Sequence, residues 1–119
     1  MSGRAVGVAL LVATAGCAPL PPARQVTDVN LIAGDWQGQI AFRGGPYQLF
    51  YLTIYPDSTL TGRWPGGTRW GQIKLEGGRT RFSLYIWSGT VDYLEGGGDR
   101  VLLLKEDFAQ WDAIVRPLR

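Results

Sequence analysis

Beyond Leu31 the chain alternates apolar and polar residues in short runs. Over 35–43, Trp36, Gly38, Ile40 and Phe42 share one parity while Gln37, Gln39 and Arg43 share the other. A period of two puts successive side chains on opposite faces of a strand. The same alternation turns Phe50, Leu52 and Ile54 inward, then Leu60, Gly62 and Trp64, then Gly71, Ile73 and Leu75, then Phe82, Leu84 and Ile86. Thr59, Thr61, Arg63, Arg79, Arg81 and Ser83 face the other way, and Arg69, in phase with Gly71, has no place in this division. Clusters of Gly, Pro and Asp interrupt the pattern about every 8–12 residues and no window sustains a helical period, which is the signature of an all-β sandwich or barrel. Eight strands are predicted: 35–43, 48–55, 59–65, 68–75, 79–87, 90–94, 100–105 and 110–116. The connectors Gly44-Gly45-Pro46, Pro56-Asp57-Ser58, Gly66-Gly67, Glu76-Gly77-Gly78, Ser88-Gly89 and Gly96-Gly97-Gly98-Asp99 are of hairpin length. Gly and Asp tolerate the positive φ of tight turns. Successive hairpins make a meander, and a meander of this size removes its exposed edges by closing. The expected fold is therefore all-β, a small up-and-down antiparallel barrel with inward glycines easing the sharp coiling of its strands.

The segment ahead of this domain has a different character. Arg4, an apolar run over 5–15 and the small residues Ala15 and Gly16 precede Cys17, the only cysteine. They describe a secretory signal peptide, too short for a membrane-spanning helix, which needs about 20 residues. Ala15-Gly16-Cys17 resembles the lipobox of bacterial lipoproteins, which implies cleavage before Cys17 and lipidation of it. Ala13-Thr14-Ala15 also fits an ordinary cleavage site, which would leave Cys17 a free exported thiol. Ala18 after the cysteine resembles lipoproteins sorted to the outer membrane, facing the periplasm, in bacteria with two membranes. The organisation expected is a signal peptide over 1–16, a lipidated N-terminus and Pro-rich tether over 17–30, and the barrel over 31–119.

Composition narrows the function classes. With Arg4 removed in the leader, eleven basic residues face ten acidic ones, too even a balance to attract nucleic acid. Histidine is absent, which takes away the usual general base and the commonest transition-metal ligand; no metal or cofactor is expected. Of the possible catalytic groups only carboxylates remain, chiefly Asp92, Glu95, Asp99, Glu106, Asp107 and Asp112, and a glycosidase would need two about 5–10 Å apart across a cleft. Their spacing selects no pair, and no catalytic residue is assigned. Aromatic residues are the marked excess: five Trp, five Tyr and four Phe. Trp36, Trp64 and Trp111 fall on core positions. Trp70 shares its face with Gln72 and Lys74, and Tyr85 and Trp87 share theirs with Arg79 and Arg81. Arginine and aromatic side chains interleaved on a sheet face stack on planar groups and pair with anions. Trp70, Arg79, Arg81, Tyr85 and Trp87 are the surface-binding candidates, for a glycan, a lipid or another envelope protein.

Gly34-Asp35-Trp36 at the start of the first strand resembles the G-x-W signature of the lipocalins and their calycin relatives. Val91-Asp92-Tyr93 is similar to their T-D-Y element, with Val for Thr. Arg116 on the last strand lies where those families set a basic residue over the first-strand Trp. The resemblance implies a barrel closed at one end by Trp36 and Arg116 and entered by ligand at the other. A likeness to periplasmic lysozyme inhibitors stops at architecture, because Ser88-Gly89-Thr90-Val91-Asp92-Tyr93 carries an acid where their inhibitory loop has a base. The expected function is a non-enzymatic, membrane-anchored envelope interaction module. A carrier of a small apolar or amphipathic ligand is the alternative, and a carboxylate hydrolase the second.

Overall fold

The computed structural model describes residues 19–118; the expected leader and Cys17 lie outside them. The alternating runs form β1 (Gly34–Phe42), β2 (Tyr47–Ile54), β3 (Thr59–Trp64) and β4 (Gly67–Glu76). β5 (Arg79–Leu84), β6 (Trp87–Gly96), β7 (Asp99–Glu106) and β8 (Trp111–Pro117) follow. Each strand pairs antiparallel with the next, and β8 returns to β1 with Trp36 opposite Pro117 and Phe42 opposite Trp111. The result is a closed up-and-down antiparallel barrel, consistent with a lipocalin- or calycin-like fold. Closure leaves the first and last strands without a free hydrogen-bonding edge.

The inward parity fills the interior. Trp36, Ile40, Phe50, Leu52, Ile54, Leu60, Leu84, Leu102, Leu104 and Val115 are all buried, and each large apolar side chain taken from water stabilises the fold by about 1.5–3 kcal/mol. A Cβ at inward-facing Gly38 would run into the carbonyl of Ile114 on β8, so glycine lets the closing strands approach. Two residues of the predicted inward set depart from it. Leu75 is exposed because β4 runs past the wall at that end, and Ile86 is exposed because it is not in a strand at all.

Ile86 marks a correction in the turns. The β5–β6 connection is Tyr85-Ile86, with Leu84 opposite Trp87, and Ser88 and Gly89 are strand residues paired with Ser83 and Phe82. Gly89 is buried, and a Cβ there would strike the Lys105 carbonyl and the Phe82 ring. Its small size serves close packing inside the wall and not a turn.

The second correction concerns the expected tether. β5 and β6 pair only from Arg81 opposite Thr90 to Leu84 opposite Trp87, so they part as β6 runs on towards Gly96. Beyond Thr90 the backbone of β6 needs other partners. The two-residue strand Ala23–Arg24 supplies them, pairing with Leu94 and Tyr93. Glu95 N–H donates to the Pro22 carbonyl (3.0 Å), the Arg24 Nε donates to the Glu95 carbonyl (3.2 Å), and Val26 is buried. From Pro21 onward the segment is a strap lying on the barrel, and its docking side is the end where β6 finishes.

The barrel thus has two ends. The base holds the connections 55–58, 77–78 and 97–98 and is crossed by a 3-10 turn, Val29–Leu31, capped by the Asp28 carboxylate. The tip holds the connections 43–46, 65–66, 85–86 and 107–110.

Candidate functional site: the aromatic end of the barrel

Inward positions at the tip ends of β1, β3, β6 and β8 are Phe42, Trp64, Trp87 and Trp111, and their rings meet across the mouth. Phe42 lies 5.8 Å from Trp64 and 5.9 Å from Trp87; Trp87 lies 6.0 Å from Trp64 and 5.8 Å from Trp111, all in tilted or edge contacts. Phe50 and Phe82 form the layer beneath, against Trp64 and Trp111. Edge and tilted contacts between aromatic rings add about 0.5–1.5 kcal/mol each beyond their burial. The mouth that the lipocalin resemblance leaves open is therefore plugged.

Arg69 enters this cluster. In phase with Gly71, it turns towards the mouth, where its guanidinium lies 4.6 Å from the Tyr85 ring centre and donates to the Thr68 carbonyl (2.9 Å). Tyr85 in turn meets Trp87 edge-on at 5.7 Å. The Arg69 Nε and the Trp111 Nε1 are buried without a hydrogen-bond partner among the described residues.

Around the plug stands a rim of exposed apolar side chains: Trp70 (69% exposed), Tyr85 (59%), Ile86 (75%) and Phe108 (76%). Tyr85 N–H donates to the Trp70 carbonyl, which ties the β5–β6 turn to β4. The turn backbone is strained. Tyr85 has φ 56° and Ala109 φ 57°, a region that costs a residue bearing a Cβ about 1–2 kcal/mol. The β7–β8 turn is held rigid beneath Phe108. Buried Glu106 accepts from the N–H groups of Phe108 (2.9 Å) and Gln110 (2.8 Å), and Arg43 donates to the Phe108 carbonyl at 2.7 Å. Asp107 forms a two-point ion pair with Arg81 at 2.9 and 2.6 Å. The Arg81 hydrogen bonds hold the Asp107 carboxyl below its ordinary value, and Asp107 raises the Arg81 guanidinium.

The five surface residues picked from sequence do not form one patch. Trp70 and Tyr85 stand together on the rim. Trp87 points inward into the plug, because moving the turn to 85–86 reverses its parity. Arg81 is engaged by Asp107 on the outer wall. Arg79 lies at the base end, in a cleft of about 490 Å³ between the strap and β6 that Arg24, Thr90, Asp92 and Lys105 also line. Ile86, Phe108 and Arg69 escaped the reading. Arg69 could have been found from its parity, but no turn rule flags Tyr-Ile.

At the base, Trp36 donates its Nε1–H to the Ile32 carbonyl (2.9 Å) beneath the 3-10 turn. The cation over its ring is Arg100, 5.2 Å away, not Arg116. Arg100 also donates to the Tyr93 hydroxyl (3.0 Å) and the Leu31 carbonyl (2.7 Å). Arg116 sits opposite Gln37 on the outward parity and pairs with Asp99 at 3.2 Å on the exposed wall. Arg100 is in phase with buried Leu102 and Leu104, which is the sequence signal that a cation faces inward there.

Of the candidate carboxylates, Glu106, Asp107 and Asp112 line one cleft of about 450 Å³ at the tip, and Asp92, Glu95 and Asp99 lie elsewhere. Asp99 and Asp107 are ion-paired, Glu106 caps a turn, and Asp92, Glu95 and Asp112 are exposed on the wall. Among the described residues no three acids or cysteines gather in metal-binding geometry. No protein-family model, curated protein or solved structure matches the chain.

Proposed function

We propose that the mature protein is an exported lipoprotein anchored through Cys17, in the outer membrane facing the periplasm where the host has two membranes. Its barrel works as a non-enzymatic interaction module whose contact surface is the aromatic end. The observation that carries the reading is the rim formed by Trp70 on β4 and by Tyr85, Ile86 and Phe108 on turns that hold Tyr85 and Ala109 at positive φ. Strain retained at exposed apolar turns points to use and not to stability. A carrier needs an internal void, and the inward positions here are filled by large apolar side chains, with aromatic rings across the mouth.

Intact mass under native conditions, on protein extracted gently from the envelope, tests this reading. The expected result is a chain beginning at Cys17 with added acyl mass and no retained small molecule. A chain of unacylated mass removes the anchor, and a retained small molecule replaces surface contact with carriage.

A further inference from the structure

The strap and the apolar turns occupy opposite ends of one strand. β6 begins at Trp87, directly after Tyr85-Ile86, and ends at Gly96, against which Pro21 and Pro22 pack. Ten residues at about 3.3 Å each, tilted about 35–45°, separate these ends by roughly 25 Å along the barrel axis. Three residues lie between Cys17 and docked Pro21, and the four steps across them reach at most about 14 Å. An upright barrel therefore cannot bring its tip to the surface that holds its N-terminus. A barrel lying on the β5–β6–β7 side can, because strap exit and apolar turns then face the same plane.

The wall between them carries basic side chains for such a plane, with Glu76 opposite Arg79 at its edge. Arg24, Arg79 and Lys105 line the strap cleft with one acid, Asp92. At the tip Asp107 is occupied by Arg81 and Glu106 by backbone N–H groups, Asp112 stands exposed opposite Lys105, and Arg43 and Arg69 stand beside the apolar turns. The apolar set is also convex. Ile86 and Phe108 project from the tips of two adjacent hairpins and offer no hydrogen bonds, which suits a fluid surface that closes round them better than a sugar chain. Trp and Tyr beside them have the amphipathic character that settles at the headgroup level.

Resting on the reading of the aromatic end as the contact surface, we propose that the barrel lies along an anionic lipid surface on its β5–β6–β7 side. Tyr85, Ile86 and Phe108 enter the headgroup–acyl boundary, Trp70 flanks them, and Arg24, Arg79 and Lys105 face the phosphates. Turn insertion and basic wall then act as a second attachment beside the N-terminal lipid, in the manner by which paired weak signals hold proteins at membranes.

The test uses the mature chain with Cys17→Ser, so that no acyl chain contributes, and flotation with vesicles of phosphatidylcholine alone or mixed with phosphatidylglycerol. Binding to the anionic vesicles is expected, weakening as salt rises. Ile86→Asp with Phe108→Asp should lower it by about tenfold or more, and Arg79→Glu with Lys105→Glu by about tenfold. Both tip positions are exposed, so unchanged near-UV circular dichroism is the check on folding. No vesicle binding at low ionic strength, or binding indifferent to the tip substitutions, overturns the proposal. Retention of the wild-type chain on peptidoglycan sacculi, lost in the tip variant and without vesicle binding, overturns the lipid assignment but keeps the aromatic end as the contact surface. Tip substitutions without effect on either material remove both.

Discussion

At the base, Trp36 is covered by a 3-10 turn, hydrogen-bonded to Ile32 and stacked under Arg100, and the β4–β5 and β6–β7 hairpins turn on glycine pairs with positive φ. At the tip, Trp64, Trp87 and Trp111 close the barrel with no covering segment, and the turns carry Tyr, Ile and Phe. Both ends are shut by tryptophan and both hold residues bearing a Cβ at positive φ, Ser58 at the base and Tyr85 and Ala109 at the tip, but the most exposed apolar side chains, Ile86 and Phe108, stand on the tip turns. Gly77-Gly78 and Gly97-Gly98 take φ values of 56° to 83° that glycine adopts freely. Tyr85 accepts the same region at a cost. The contrast separates an end organised to hold the barrel closed from one organised to present side chains.

That separation can be broken most sharply with two arginines. Arg100→Ala removes three base contacts and leaves the Leu31 carbonyl and the Tyr93 hydroxyl short of a partner. It should cost about 1.5–3 kcal/mol in urea unfolding, whereas Arg116→Ala on the outer wall should stay within about 0.5 kcal/mol. Equal losses would mean that the base is not closed through Arg100. At the tip the expected sign is opposite. Replacing Tyr85-Ile86 by Gly-Asn puts glycine at the one positive-φ position and should raise stability by about 1 kcal/mol while abolishing whatever binding the aromatic end performs. A variant that loses stability instead would show that the Tyr85 contacts with Arg69 and Trp87 outweigh the backbone strain. The smallest effect concerns acid. The Arg81 hydrogen bonds hold the Asp107 carboxyl below its ordinary value, so its contribution is fully present above the ordinary carboxylate range and is lost as pH falls through the depressed value. Asp107→Asn should flatten the lowest part of the acid unfolding curve and leave neutral stability almost unchanged; an unaltered curve would show that the exposed pair contributes nothing.

Period-two alternation is a property of the chain itself, so all eight strands and most of the core could be read from it. Where reading stopped, a local rule met a non-local need. Ser88-Gly89 has turn composition, yet Gly89 is small because the Phe82 ring and the Lys105 carbonyl crowd it. Shifting that turn by three residues hid Trp87 in the plug and put Ile86 on the rim. Arg100 lay in the inward parity in plain view, but a charge belongs inside only when an aromatic ring and carbonyls are there to receive it, and those partners come from β6 and the 3-10 turn. The strap was the least legible. Its prolines suit a free tether equally well, and its partners lie 71 positions along the chain.

That distance has a consequence for how the protein becomes itself. The strap can dock only after β6 exists, and the barrel can close only when β8 meets β1, so its two sealing events join residues far apart in sequence and come late and slowly. A chain released N-terminus first waits for most of its length to arrive before its opening residues have anywhere to sit. During that interval the edge of β6 is bare, and a competing strand from another molecule could take the place the strap will hold. Early capture of the N-terminus near its destination would keep that place for the chain's own strap.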